Sequence, residues 1–189
     1  MTSKTPASFS RRGLLRAFAA TTVVAAPTYA NAFGLIRGAG NIRRVRMFSG
    51  RSGETMDAIY WIDGKYVPEV LDQVKVFMRD WRVDQTHDMA PQTIDIIAAS
   101  HALLDTTEPF QLLSGYRTPQ TNAMLRRHSK GVAAHSLHMD GEAADLRLRS
   151  RTVHQIYEAA WSCQAGGVGK YIHSDFVHMD CGPVRTWHG

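Results

Sequence analysis

The chain has 189 residues, of which 44% are hydrophobic and 21% are charged, and a formal net charge of +5. Four of the 22 basic residues, and no acidic residue, lie within residues 1–32, so the remaining chain carries 18 basic and 17 acidic side chains. This near-neutral balance argues against a nucleic-acid-binding protein, which needs a clustered basic face. A remainder of about 157 residues is enough for one ordinary domain with a single core.

The first 32 residues have the layout of an export signal. Arg11 and Arg12 precede an apolar run over residues 17–26, and Ala30-Asn31-Ala32 offers a small-residue cleavage site. Ten apolar residues are too few to cross a bilayer, which needs about 20. We therefore predict a twin-arginine signal peptide over residues 1–32 and a periplasmic domain over 33–189, with no membrane span after cleavage.

The first half of the predicted domain contains a hairpin followed by two helices. Residues 33–53 are rich in Gly and Arg and predict an irregular lead-in with a short strand near Val45–Phe48. Thr55–Ile62 predicts a second strand, and Asp63-Gly64 is a strong signal for a tight turn. Apolar residues at helical spacing predict helices over Pro68–Trp81 and Pro91–Leu104. A basic cluster in the lead-in is typical of a solvated edge strand, although it could also contact an anionic polymer: Arg37, Arg43, Arg44, Arg46 and Arg51.

The second half mixes strands and helices without a regular βαβ rhythm. The predicted elements are a strand at Phe110–Leu113, a helix from Pro119 to about His128, a strand at Ala143–Leu148, a helix at Val153–Gln164, and strands at Val168–Ile172 and Asp175–Met179. This order favours an α+β fold, a single domain with a small, mainly antiparallel sheet flanked by helices. Cys163 and Cys181 are the only cysteines, and the sequence leaves open whether they form a disulfide after export.

Three residues in the second half form a candidate zinc site: His138, Asp145 and His178. Zinc binds His nitrogen and carboxylate oxygen readily, and a catalytic site uses three protein ligands and keeps a fourth position for water. Seven positions separate His138 from Asp145, too many for one face of a helix. The interval suits a loop that carries His138, a turn at Gly141, and a strand that carries Asp145.

A zinc peptidase also needs a proton acceptor and a group that stabilises the oxyanion. Asp175 lies three residues before His178, and a bend in the strand would place its carboxylate beside the metal, so we predict it as the general base. Arg117 follows a strand end in a Gly-Tyr-Arg turn, and its guanidinium could clamp a substrate carboxylate, a carbonyl or the oxyanion. Three other carboxylates are rivals for the role of base: Asp140, Asp180 and, more weakly, Glu142.

The same residues carry a resemblance to a known family. Ser136-x-His138-x-x-Gly141-x-Ala143-x-Asp145 and Asp175-x-x-His178 resemble the signature of the LAS metallopeptidases, a class that includes D-Ala-D-Ala peptidases and shares its zinc arrangement with hedgehog and lysostaphin domains. The chain is most similar to the YcbK-like family of exported murein endopeptidases. That closer resemblance covers nearly the whole predicted domain, through segments that include Tyr60-Trp61-x-Asp63-Gly64-x-Tyr66, Leu113-Ser114-Gly115-Tyr116-Arg117-Thr118-Pro119 and Phe176-Val177-His178-Met179-Asp180-x-Gly182-Pro183-x-Arg185-x-Trp187.

The resemblance implies a hedgehog-like and D-Ala-D-Ala-peptidase-like fold and a zinc-dependent endopeptidase that hydrolyses the peptide cross-links of peptidoglycan. It implies that His138, Asp145 and His178 bind zinc, that Asp175 takes the place of a catalytic Glu in related D,D-dipeptidases, and that Arg117 matches their substrate-orienting Arg. The sequence leaves two alternatives, a D-Ala-D-Ala-type carboxypeptidase and a non-catalytic wall-binding zinc module. A structural zinc site would more often have four protein ligands, typically with cysteines. Neither the cross-link that is cut nor the oligomeric state follows from the sequence.

Overall fold

The computed structural model describes residues 41–129 and 131–189. The predicted signal peptide and the lead-in up to residue 40 lie outside the described residues. Within the described part, no helix is both long enough and apolar enough to cross a membrane.

Eight strands of the described part form one mixed sheet. In chain order they are β1 (Ile42–Ser49), β2 (Thr55–Ile62), β3 (Lys65–Tyr66), β4 (Phe110–Ser114), β5 (Ala143–Arg147), β6 (Gly167–Tyr171), β7 (Phe176–Asp180) and β8 (Arg185–His188). Their order across the sheet is β3-β2-β1-β4-β5-β7-β6-β8. Only the β1–β4 and β6–β8 pairs are parallel, and the other pairs are antiparallel. The α+β prediction with a mainly antiparallel sheet is therefore confirmed.

The helices of the described part are α1 (Pro68–Phe77), α2 (Pro91–Leu103), α3 (Pro119–His128) and α4 (Val153–Ser162). The first three each have proline in the first turn, where the missing N–H costs no hydrogen bond. The fourth begins with a capping box between Thr152 and Gln155. Helices α2 and α4 pack on each other and on the sheet, and α1 packs on β2. In the described part, the main hydrophobic core fills the space between these layers, and Cys163 forms a small separate cluster with Ala99 and Ala165.

The predicted helix over Pro68–Trp81 ends four residues early, at Phe77. Asp80 is almost fully buried, and its carboxylate accepts hydrogen bonds from the backbone N and the hydroxyl of Thr118, both at 2.9 Å. The backbone N of Tyr116 donates to the carbonyl of Met78 at 2.7 Å. These long-range contacts fix residues 78–80 against the loop after β4, so local periodicity overestimates the length of the helix.

One further local feature agrees with the sequence-based prediction, and three elements were not predicted. The Asp63-Gly64 turn joins β2 to β3 with φ values of 47° and 88°, as a two-residue hairpin turn requires. Strands β3 and β8, and a 3-10 helix at Leu137–Asp140, were not predicted. Cys163 and Cys181 are both free thiols.

Candidate active site

One row of residues crosses the sheet and carries two of the three predicted metal ligands. Pairing places Ser114 of β4 opposite Asp145 of β5, and Asp145 opposite His178 of β7. The row continues through Gly169 of β6 to Trp187 of β8. A Cβ at Gly169 would lie 2.5 Å from the Trp187 indole, so glycine allows this ring to lie against His178, with 5.2 Å between the ring centroids.

His138 reaches the row from the loop before β5. It lies in the 3-10 helix that ends at Gly141, whose φ of 71° supplies the predicted turn. The ring Nδ1 donates to the carbonyl of Gly115 at 2.7 Å, which orients Nε2 toward the other two predicted ligands. Gly115 has no room for a side chain, since a Cβ would collide with the carbonyl of Met78.

The three predicted ligands form one compact donor set. His138 Nε2 lies 3.2 Å from His178 Nδ1 and 3.2 Å from Asp145 Oδ1, and the last two atoms are 2.9 Å apart. A tetrahedral zinc site with metal–ligand bonds of about 2.0–2.1 Å separates its ligand atoms by roughly 3.3–3.4 Å. Two imidazole nitrogens and one carboxylate oxygen therefore fit a zinc ion after a shift of a few tenths of an ångström.

Asp180 fixes the orientation of His178. The Nε2 of His178 donates to Asp180 Oδ2 at 3.0 Å, so that Nδ1 faces the other two predicted ligands. The Asp180 side chain is fully buried, and it accepts from both terminal nitrogens of Arg185 at 3.0 and 2.8 Å. It also accepts from the backbone N of Gly167 and of Gly182. A carboxylate behind a ligating histidine sets the ring tautomer and makes the ligand more basic.

Sequence reasoning named Asp180 only as a rival base and missed this role. The sequence did contain a signal for the contact between Asp180 and His178. Residues two apart on a strand share a face, and His178-x-Asp180 has that spacing. Since the carboxylate is already engaged by five hydrogen bonds, it is poorly placed to take a proton from water.

Burial and charge act differently on the two histidines. Burial lowers the pKa of His138, although Asp145 opposes this effect, so its ring is neutral at pH 7. Burial also disfavours the charged form of His178, but hydrogen bonds to Asp145 and Asp180 outweigh it and raise the pKa to about 9. Burial opposes ionisation of Asp145, but the two histidines hold the pKa of this carboxyl well below its usual range. The donor set is thus anionic at Asp145, and binding of a cation must displace a proton from His178.

Arg117 lies directly beside this donor set. Its buried guanidinium donates through Nη2 to Asp145 Oδ2 at 3.2 Å and to Ser114 Oγ at 3.1 Å. Nη1 donates to Asn122 Oδ1 at 3.4 Å, a contact not predicted from the sequence. The Nε has no hydrogen-bond partner among the described residues. Arg117 therefore keeps one buried donor for a further acceptor.

Of the predicted site residues, Asp175 is the one that lies apart from the rest. It lies in the β6–β7 turn with a φ of 53°, and its side chain is 67% exposed. Its nearest charged neighbour is Arg147, at 3.7 Å. The flanking residues Ser174 and Phe176 do line the cavity at the predicted ligands. The rival Asp140 is exposed and does not line that cavity.

Two cavities meet at the donor set. The first has a volume of about 360 Å³ and includes His135, Tyr171 and Trp187 in its wall. The second, of about 340 Å³, is lined by Arg51, Arg82 and Arg147, and we call it the arginine arm. The two cavities share four wall residues: Arg117, Asp145, Ser174 and Phe176. All three predicted ligands line the first cavity, and Asp145 also lines the arginine arm.

Comparison with known proteins gives the same family as the sequence motifs. Residues 37–187 match the family model described as Peptidoglycan L,D-endopeptidase MepK. The chain belongs to this family. It is a peptidase, and the resemblance to YcbK-like murein endopeptidases is confirmed.

Individual relatives agree with the family model. The chain is 40% identical over 136 residues to "Peptidoglycan L,D-endopeptidase MepK" of Escherichia coli (strain K12), which covers 72% of this chain and 75% of the relative. The protein of that name from Shigella flexneri gives the same values. The "Probable peptidoglycan L,D-endopeptidase MepK" of Haemophilus influenzae is 36% identical over 139 residues, which covers 73% of this chain and 75% of the relative.

Proposed function

We propose that this chain is a zinc-dependent peptidoglycan endopeptidase of the periplasm. The observation that carries the proposal is the compact donor set of His138, Asp145 and His178, buried or half-buried, beside Arg117. Two imidazoles and a carboxylate are typical ligands of catalytic zinc, and none of the three is a cysteine. Bound zinc would supply Lewis-acid polarisation of the scissile carbonyl and activation of the attacking water.

Arg117 would stabilise the negative charge that develops on the carbonyl oxygen. Its unpartnered Nε and its position against Asp145 place positive charge at the edge of the donor set. A buried guanidinium is effective there because its charge is fixed before the reaction begins.

Asp175 is our proposed proton acceptor. To act, its carboxylate must leave Arg147 and turn into the groove, where Ser174 and Phe176 already form part of the wall. Asp175 lies in the β6–β7 turn with a φ of 53°, outside the regular pairing of the two strands, so the proposed role requires a change of conformation in this turn. Substrate that engages Arg147 would release Asp175 from its only ion pair among the described residues.

The groove favours an endopeptidase over a carboxypeptidase. An enzyme that removes a terminal D-Ala needs room for only one residue beyond the scissile bond, whereas here two cavities of several hundred cubic ångströms each meet at Asp145 and Arg117. The relatives are named L,D-endopeptidases. A bond between two diaminopimelates joins an L centre to a D centre, whereas a bond from D-Ala to diaminopimelate joins two D centres. We therefore propose the diaminopimelate–diaminopimelate cross-link as the substrate.

The test is a digest of purified cross-linked sacculi by the zinc-loaded protein, with products separated and weighed. We expect cross-linked dimers to become monomers, a chelator to stop the reaction, and zinc to restore it. His138→Ala should lose both bound zinc and activity, while His154→Ala, an exposed histidine on α4, should retain both. Release of free D-Ala alone would indicate the carboxypeptidase, and unchanged sacculi with the zinc-loaded protein would contradict the proposed function.

A further inference from the structure

The arginine arm contains more positive charge than the described residues neutralise. Arg51 and Arg82 form no ion pair with any described carboxylate, and the one ion pair of Arg147 in the described part is the loose contact with Asp175 at 3.7 Å. The Nε of Arg147 donates to the uncharged Gln111 Oε1 at 2.9 Å, which leaves the charge unneutralised. Among the wall residues of the arm, Asp145 is the only acid, and it already belongs to the metal donor set. An unbalanced cluster of guanidinium groups in a concave wall is suited to an anion.

Long-range hydrogen bonds fix the backbone near Arg82 in this wall. The carboxylate of Asp80 accepts from the backbone N of Arg82 at 3.2 Å and from Thr118, the residue after Arg117. Arg79 binds both carboxylate oxygens of Glu54, at 3.2 and 2.9 Å. These contacts join three segments, namely the β1–β2 turn that carries Arg51, the loop that carries Arg82, and the loop that carries Arg117.

Trp81 orders the two unpaired arginines. The guanidinium carbon of Arg82 lies 4.3 Å from the indole centroid, and that of Arg51 lies 5.1 Å from it. A guanidinium that stacks on an aromatic ring uses its face and leaves its N–H edge for hydrogen bonds. Both groups can therefore present a two-pronged donor edge, which matches the two oxygens of a carboxylate.

The positive charges in the arm also oppose one another. Partial burial lowers the pKa of Arg82, Asp80 opposes that change, and the nearby charges of Arg117 and Arg51 lower it further. A bound anion would relieve this repulsion.

We infer that Arg51, Arg82 and Arg147 form a carboxylate-binding subsite, which takes the free diaminopimelate carboxylates that flank the scissile bond. This inference rests on the proposed function, because the arm shares Arg117 and Asp145 with the reaction site. Each diaminopimelate in a cross-link keeps a carboxylate that takes no part in the bond, so the substrate carries negative charge close to the reacting carbonyl. Peptides without such carboxylates would bind poorly.

The test compares two defined cross-linked dimers, one with free diaminopimelate carboxylates and one with those groups amidated. Arg82→Gln and Arg51→Gln should each raise KM for the free-acid dimer about tenfold, as expected for loss of a charge-assisted contact at an exposed site, with little change in kcat. Amidation of the dimer should raise its KM with the unmodified protein, and neither variant should raise the KM for the amidated dimer further. Arg126→Gln, an exposed arginine in the last turn of α3, is the matched control and should leave both substrates unaffected.

If Arg51→Gln and Arg82→Gln raise KM equally for the two dimers, or for neither, the carboxylate subsite is overturned. As long as the dimers are cleaved, the proposed function still stands. A second measurement tests the opposite case, in which the subsite binds carboxylates but the protein does not cleave the cross-link. Zinc-free protein is titrated with an uncross-linked stem peptide that ends in diaminopimelate. If neither dimer is cleaved but this peptide binds and Arg82→Gln weakens it, the subsite stands and the proposed function fails.

Discussion

Replacement of Asp180 by Asn tests how strongly the buried carboxylate supports the metal site. Asn has nearly the same shape, and its amide oxygen can still accept from the backbone N of Gly167 and Gly182. Its amide nitrogen, however, would face two donors, His178 Nε2 and Arg185 Nη2, which now donate to Oδ2 at 3.0 and 2.8 Å. The variant therefore replaces two charge-assisted hydrogen bonds by donor–donor contacts.

The expected loss of zinc affinity is 10- to 100-fold, the usual range when the carboxylate behind a ligating histidine is removed. That range corresponds to about 1.4–2.8 kcal/mol of binding free energy. The zinc-free protein should also lose roughly 1–3 kcal/mol of stability, because Arg185 and His178 lose their common acceptor. Arg185 is 42% exposed and can turn to water, which favours the lower part of that range.

Zinc affinity is measured by competition with a chromophoric chelator at pH 7, and stability by denaturant unfolding of the zinc-free protein. Asp57→Asn is the control, since Asp57 is a half-exposed acid paired with Arg44 at the surface, and it should leave zinc affinity unchanged. The stability difference between Asp180→Asn and the unmodified protein should narrow as the pH falls below 3.8, because the depressed pKa of Asp180 makes its contribution depend on the ionised form. A zinc dissociation constant for Asp180→Asn within twofold of the unmodified protein would refute the reasoning.

Three further outcomes are expected. Asp175→Asn should keep zinc and fold but lose about 10²–10⁴-fold in kcat, and near-normal turnover with collapse in Asp140→Asn would transfer the role of base to Asp140. Zinc affinity, measured by the same competition, should rise with pH and level off above about 9, because the raised pKa of His178 keeps a proton on the zinc-free site below that value; a flat profile between pH 6 and 9 would contradict this assignment. Replacement of Arg11 and Arg12 together by Lys should block export, as followed by fractionation of cells, and efficient export of the double variant would point to the general secretion route.

The sequence alone determined the elements whose signals are local. The strand Thr55–Ile62, the turn at Asp63-Gly64 and the helix Pro119–His128 have the bounds that alternation, turn chemistry and proline placement predicted. His138, Asp145 and His178 were selected because metal chemistry restricts which side chains can serve and because a loop followed by a strand suits their spacing. In the structure the three donor atoms lie within 4.8 Å of one another.

Only the tertiary structure decided how those side chains are supported and what surrounds them. Asp80 ends α1 early through contacts with Thr118, which is 38 residues away in the chain. The parallel pairing of β8 with β6 brings Arg185 to Asp180 and Trp187 to His178, and no local pattern predicted this strand. The arginine arm likewise draws its charges from turns and strand ends far apart in the chain. The physical reason is that a side chain's partners depend on which strands pair and in what register, and the whole sheet fixes that choice, whereas periodicity and turn residues act within a few positions of one another.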